Sequence, residues 1–510
     1  MPVIVGVAQL THREKTEAQL DPIEMMASVA RQAAKDAGLE GLPPIDTLGI
    51  ANCVSKPLEN PTRQLSDRLR INPSWSGYTG IGATAPQWFV KRFAERIREG
   101  EAAWALVCGA EAFYSKQSTA SLGSLLIAGQ PGSSAYVGDV RAPVTPLEFR
   151  YGLIAPVHMY ALIENALRAR TEQTITEQRR DLADFCARIS RTAESNPYAW
   201  DREPRRPDSI VEVSDANRMV SFPYTKLMCA NMQVNQAAAL LMTSMAQAEA
   251  AGIAKDKMVF VRGCEEAEDV FHPTERPSLS ESPSVREAAG GALCQASATL
   301  DEVSYFDLYS CFPSAPRIVL EMLGLEGLPP ERLSVTGGMA CFGGPGNNYS
   351  QHAICTMVGL LREEPHAIGL VHSLSWYLSK HCVGIYSAHP GNAPWRPASQ
   401  KSKPTPYAKV HVVSEANGTG TVESYSLAYD REGRPSGAII IGRDENYDRF
   451  LARAAIEPGL LHAMENTELI GRSGRVSHDL SNHMNAFALD ERSPDPQAMS
   501  AVWSGEGGGG

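Results

Sequence analysis

Leu333 to Arg362 reads LSVTGGMACFGGPGNNYSQHAICTMVGLLR. A short apolar run opens it. Gly337, Gly338, Gly343, Gly344 and Gly346 follow with Pro345 among them, and a helical pattern starts near Tyr349. The reading is strand, glycine loop, helix. Glycines allow positive φ and close backbone approach. The helix start leaves unpaired N–H groups and a partial positive charge facing whatever the loop holds. Such a place suits a bound anion or a developing oxyanion. A plain βα turn has the same local signature, so the rest of the chain has to separate the two.

An earlier stretch repeats the order. Gly80 and Gly82 lead into a helix from about Thr84 to Glu99 and then an apolar strand, Trp104 to Cys108. Glycine turn, helix and apolar strand at 80–108 match those at 343–371, which implies an internal duplication about a pseudo-dyad. Val3 to Gln9 and Asp46 to Val54 read as strands. Asp21 to Ala37 reads as a helix with Asp21 as N-cap and Pro22 at its first turn. Alternation of strands and helices implies parallel units covered on both faces. Asn235 to Ala248 reads as a buried helix, Lys257 to Cys264 as a strand, Ser284 to Ala298 as a helix, and Val303 to Phe312 as a strand.

The expected organisation is a first half over 1–230, a second half over 231–392, and a small C-terminal barrel over 405–495. The first half contains a mostly helical insertion at 118–218, and a flexible tail covers 496–510. Three strand patterns with a DREGRP hairpin turn suggest a barrel of the oligonucleotide/oligosaccharide-binding type. Arg202, Arg205 and Arg206 read as a solvated basic face or as phosphate contacts.

Composition narrows the function. The chain has 510 residues, 43% apolar and 21% charged, and a net charge of −11, which argues against a general nucleic-acid partner. Ten scattered cysteines form no C-x-x-C pair, so neither a zinc site nor a thioredoxin motif is expected. Their apolar surroundings suit reduced thiols in the cytosol. The opening MPVIVGVAQLTHREK lacks a basic n-region and reads as a strand rather than a signal peptide. No membrane span is expected. The first turn lacks G-x-G-x-x-G, which sets aside a dinucleotide enzyme.

Four segments, in order, resemble a thiolase: GATAPQWFVKRFAERIREGEAAWALVCGAEA, PYTKLMCANMQVNQAAALLMTS, FDLYSCFPSA and TGGMACFGGPGNN. The third resembles the H-D-C-F loop of the sterol-carrier-protein thiolases. The resemblance covers about 1–390 and is nearest to the thiolase-like protein type 1 group, which carries an added C-terminal β domain. It implies a duplicated α/β thiolase fold of five layers, α-β-α-β-α, with a small β-barrel appended.

The same resemblance implies acyl-CoA as ligand, no permanently bound cofactor, no metal, acetyl-CoA acetyltransferase-like chemistry in lipid metabolism, and a homodimer through the core. Thiolases use a helix cysteine, a second cysteine or base, and two histidines. Here the helix nucleophile falls at Ala83 or Thr84, the loop histidine at Tyr309 and its aspartate at Ser310. The second histidine falls at Gly344, and the C-x-G-G position near Ser373 to Ser375. A literal C-x-G at Cys382 to Gly384 lies on a strand pattern and reads as core. With every expected catalytic position substituted, ordinary thiolysis is not expected. Replacement chemistry would draw on Tyr309, Cys341, His372 and His381, with Cys311 as a further thiol. Gly337, Gly338, Gly343 and Gly344 would form the CoA-thioester loop. The alternative is a non-catalytic CoA-thioester-binding or scaffold protein.

Overall fold

The computed structural model describes residues 1–15, 20–115, 136–391, 408–454, 461 and 464–490. The Gly/Ser-rich part of the insertion up to residue 135, the linker at 392–407 and the tail from 491 lie outside the described residues.

The first half runs β1 (Pro2–Thr11), α1 (Pro22–Asp36), β2 (Thr47–Ile50), α2 (Pro61–Leu69), β3 (Trp75–Thr79), α3 (Ala85–Glu99) and β4 (Trp104–Ala112). An inserted stretch follows, with β5 (Tyr136–Val137), α4 (Pro146–Arg150), α5 (Pro156–Arg170), α6 (Ile175–Ser195), α7 (Pro207–Val211), β6 (Met219–Ser221) and β7 (Tyr224–Thr225). Then come β8 (Asn235–Ser244) and α8 (Met245–Ala250). The second half holds β9 (Val259–Glu268), α9 (Ser284–Ala296), β10 (Tyr305–Leu308), α10 (Ser314–Leu323), α11 (Tyr349–Glu363), β11 (Ile368–Ser375) and β12 (Lys380–Ser387). The C-terminal strands are β13 (Val412–Val413), β14 (Gly418–Tyr429), β15 (Pro435–Asp444), β16 (Arg449–Ala454), β17 (Ser473–Asp479) and β18 (Met484–Leu489).

The duplication is visible in the strand order. The first half orders its strands β2-β4-β8-β1, and the second repeats this as β10-β11-β12-β9. The two sheets join where β1 meets β9 antiparallel, at Val3 with Phe260 and Ile4 with Val259. Helices α3 and α11 pack between the halves, each touching strands of both. Helix α1 covers the outside of the first sheet and α9 the outside of the second, which completes the five layers.

Fine detail repeats as well. A Cβ on Gly6 of β1 would lie 2.0 Å from the Ala33 carbonyl oxygen of α1, and one on Gly263 of β9 would lie 2.0 Å from that of Ala292 of α9. In both strands the ladder skips the residue just before the glycine, Val5 in β1 and Arg262 in β9. The bulge and the side-chain-free position together let the helix backbone press onto the strand.

Two expected elements differ. Asn235–Ser244, NQAAALLMTS, is the strand β8 rather than a helix. Its alanines and leucines favour helix locally, but β1 and β4 bond it on both edges and both of its faces are buried, so position overrides propensity. The apolar run at Leu333 is not a strand. It is a loop whose Leu333 carbonyl accepts from the Leu308 N–H.

The C-terminal strands close on themselves in the order β14-β15-β16-β18-β17-β14, with β16 and β18 parallel and the other neighbours antiparallel. Val422, Tyr425, Ile440, Phe450, Val476 and Phe487 fill its interior. Ile439, Ile441 and Leu451 point outwards and join the core shared by the inserted helices and the second half instead. These belong to the second and third barrel strands, the face with which such barrels hold oligonucleotides or oligosaccharides. Here the chain itself covers that face.

Candidate functional site

The site forms where α3 begins, beside the carboxyl ends of the parallel strands β2, β3 and β4. Asn347 of the glycine loop fastens this corner. Its Oδ1 accepts from the Gly82 N–H at 2.7 Å and its Nδ2 donates to the Asn52 carbonyl at 2.9 Å. Thr84 occupies the N-cap position of α3, but its hydroxyl does not cap the helix. It lies 2.7 Å from the Ser375 hydroxyl, whose oxygen also accepts from the Thr84 N–H at 3.0 Å. The positions assigned by resemblance to the helix nucleophile and to the C-x-G-G segment therefore meet, as two hydroxyls.

Ser375 opens the turn between β11 and β12. Trp376 and Leu378 in this turn both have φ 60, a left-handed conformation that costs an L side chain about 1–2 kcal/mol each. Bonds hold it there. Tyr160 of α5 donates to the Trp376 carbonyl at 2.7 Å, and Arg276 donates to that of Tyr377 at 2.7 Å. His381 Nε2 lies 3.2 Å from the Leu378 carbonyl, and the Asp269 N–H donates to that of Ser379 at 3.1 Å. Every carbonyl from Trp376 to Ser379 has an external donor, so the turn is pre-shaped around Ser375.

The two histidines face the other way. Along β11 and β12, Val371, Cys382 and Tyr386 pack against α3 and α11. Leu370, Leu374, Val383 and Ile385 pack against α9 and α10. Side chains alternate along a strand, so His372 and His381 share the outer face while Ser375 faces α3. His372 Nε2 and His381 Nδ1 are 2.9 Å apart. His381 Nε2 meets the Ser282 hydroxyl at 2.8 Å, and that hydroxyl donates to Asp269. Burial, then the charge of His381, pushes the pKa of His372 well below the ordinary histidine value. Burial alone would raise Asp269, but the bond from His381 and its charge hold it below the usual carboxylate range. This buried chain braces the turn from outside and does not reach Thr84.

Tyr309 and Cys341 lie on two loops that clasp each other. Ser310 Oγ accepts from the Met339 N–H at 3.1 Å, the Ala230 N–H donates to Cys311, and Asn231 bonds both Met339 and Gly344. The Tyr309 ring meets Tyr349 edge-on at 5.4 Å. Burial raises the Cys341 thiol to about 11 and that of Cys311 to about 12, so neither is a thiolate at neutral pH. Gly337, Gly338 and Gly343 all take positive φ, and Gly344 does not. A Cβ on Gly337 would fall 2.4 Å from the Ala193 backbone, which puts that glycine against α6. The basic trio is held locally: Arg205 pairs with Asp201, Arg202 bonds the Glu194 carbonyl, and Arg206 lies 3.6 Å from Asp208.

Sequence reading passed over Glu111, Asn347 and Arg276. Glu111 is the penultimate residue of β4, fully buried. It accepts from the N–H groups of Val54 and Ser55 at 2.9 and 2.7 Å, and burial raises its pKa to about 7. A lone carboxylate closing the apolar run WALVCGAEA was the available signal.

The crystal structure of a monomeric SCP2-thiolase-like protein type 1 from Mycobacterium smegmatis is 30% identical to this chain. It superposes with a TM-score of 0.81 over 96% of this chain and 99% of its own. The chain belongs to the SCP2-thiolase-like protein type 1 family. Residues 401–481 match the thiolase-like protein type 1 additional C-terminal domain. An Ltp2-ChsH2(DUF35) aldolase aligns at 16% identity and TM-score 0.59, over 76% of this chain and 97% of its own. The acetyl-CoA acetyltransferase from Syntrophomonas wolfei aligns at 15% and 0.56, over 76% and 98%. These two likenesses concern the fold alone. No curated protein matches the chain. Among the described residues, no helix is long and apolar enough to cross a membrane.

Proposed function

We propose that the chain binds an acyl-CoA thioester at the corner formed by Thr84, Ser375 and the glycine loop, and handles it without an acyl-cysteine. The Thr84–Ser375 hydroxyl pair carries the reading. Among the described residues neither hydroxyl has a carboxylate or imidazole as hydrogen-bond partner, so neither has a base to make it a nucleophile. The Thr84 N–H is taken by Ser375, so a thioester carbonyl would be met by the positive end of α3 and by the hydroxyl protons of the pair. That supports recognition of the thioester over its thiolysis, although a transferase reaction using Tyr309 as a hydrogen-bond donor stays within the proposal.

The ten free thiols support a reducing compartment, the cytosol. A homodimer through the core is the family-based expectation, and sedimentation of the purified chain decides it. Calorimetric titration with acetyl-CoA and acetoacetyl-CoA, followed by a thiolysis assay, tests the function. The expected result is saturable binding with no free-thiol-dependent cleavage and no acylated peptide. Absence of binding to both thioesters refutes the proposal, and robust thiolysis with an acyl-cysteine refutes its chemistry.

A further inference from the structure

We propose that the C-terminal barrel is a positioning element for the site turn, acting through Arg449 and Arg276. The inference does not depend on what the site binds.

A continuous chain of buried bonds leads from the barrel to the turn. Glu423 of β14 accepts from Arg449 of β16 through both carboxylate oxygens, with Nε at 2.8 Å. Arg449 is fully buried, and its Nη1 leaves the barrel to donate to the Thr274 carbonyl at 2.6 Å and the Arg276 carbonyl at 2.7 Å. Arg276 in turn spends its guanidinium on the turn and on the segment that follows β9. It bonds the Tyr377 carbonyl at 2.7 Å, Ser379 Oγ at 3.0 Å and the Val270 carbonyl at 2.8 Å. Ser375 and its contact with Thr84 come next along the chain.

A second route converges on the same place. The Asn485 N–H of β18 donates to the Tyr151 hydroxyl at 2.6 Å, and Arg453 of β16 donates to the Tyr151 carbonyl at 3.1 Å. Three residues on, the Ile154 carbonyl accepts from the Tyr377 hydroxyl at 2.9 Å. The barrel thus grips both segments that hold Tyr377.

Physical chemistry says what this arrangement does. A buried guanidinium is costly unless every donor is matched. Arg276 meets this with carbonyls and a hydroxyl rather than a carboxylate, so its bonds fix backbone positions. The turn needs that fixing, because two of its L residues sit at positive φ and relax when unsupported. Glu148 still holds Thr274 from the other side, but without Arg449 the Thr274 and Arg276 carbonyls lose their donor, the aim of Arg276 loosens, and with it the hold of the turn on Ser375.

Hydrogen exchange on the full chain tests the inference. In Arg449→Met, amides of the turn peptide spanning 374–380 are expected to exchange at least tenfold faster, while peptides from β2 to β4 keep their wild-type rates. Glu423→Gln preserves volume and weakens only the aim of Arg449. It serves where Arg449→Met does not fold, with a smaller change in the same direction. Arg449→Lys, which can still reach a carbonyl, is expected to restore part of the protection. Unchanged exchange in the turn overturns the proposal, since Arg449 would then serve the barrel alone. A uniform rise along the whole chain overturns it too, since Arg449 would then add only general stability.

Discussion

Replacing Glu111 by glutamine offers a test whose size follows from the structure. The carboxylate is fully buried and accepts two backbone N–H groups, yet burial outweighs those bonds and raises its pKa from the ordinary 4.5 to about 7. A folded pKa above the unfolded one means that the folded state binds the proton more tightly. The stabilisation is therefore complete below about pH 4.5 and is lost as pH rises through about 7. The interval is worth about 3 kcal/mol. For 510 residues the unfolding entropy is about 1 kcal/mol per kelvin, so the effect amounts to about 3 °C in Tm. Glutamine stays neutral at every pH and keeps one acceptor. Scanning calorimetry of both proteins from about pH 5 to about pH 8 should show the wild type falling against Glu111→Gln by about that amount. Asp307, also raised by burial, is common to both and cancels. A Tm difference that is constant across this range, or one that moves in favour of the wild type as pH rises, refutes the reasoning.

Other expectations follow from single contacts. Thr84→Cys places a partly buried thiol at a helix N-terminus, and peptide mapping after iodoacetamide should find it labelled before Cys341, whose thiol burial holds at about 11. In the wild type Cys294, the exposed thiol, should label first, and early labelling of Cys311 or Cys341 would contradict the burial described. Gly109→Ala would set a methyl 2.1 Å from Asn348 Oδ1 and should cost about 1–3 kcal/mol in thermal or urea unfolding, by pushing the glycine loop off β4. Arg168→Met leaves the partly exposed Glu468 without its buried partner, and the expected loss is about 1.5–3 kcal/mol, read as earlier melting of the barrel by limited proteolysis of residues 408–490.

Much of the fold could be read from the chain because its strongest signals are local. The helices at 85–99 and 349–363 each follow a glycine turn and precede an apolar strand, so the duplication shows without any long-range contact. Strand β8 escaped because its alanines and leucines favour helix locally, and only its two neighbours decide its state. The site was half legible. Resemblance narrowed two positions to Ala83 or Thr84 and to Ser373 through Ser375, while the histidines were grouped with Tyr309 and Cys341 on chemistry alone. Spacing carried a warning: residues 372 and 375 differ by an odd number, so on one strand they face opposite sides. Arg449 and Arg276 lie 173 residues apart and their link was not visible, since nothing in either neighbourhood announces a partner.

The covered face of the barrel also bears on how the chain is made. Hairpin β6–β7, near the middle of the sequence, pairs through Ser221 with Ala428 of β14, and Ser424 of the same strand donates to the Leu162 carbonyl of α5. The apolar seat for Ile439, Ile441 and Leu451 is built from residues that leave the ribosome long before those three. During synthesis that seat stays open until the last strands emerge. A chain stopped near residue 400 would keep its two halves but carry an uncovered greasy surface. The appended barrel acts late, as the piece that closes a structure begun several hundred residues earlier.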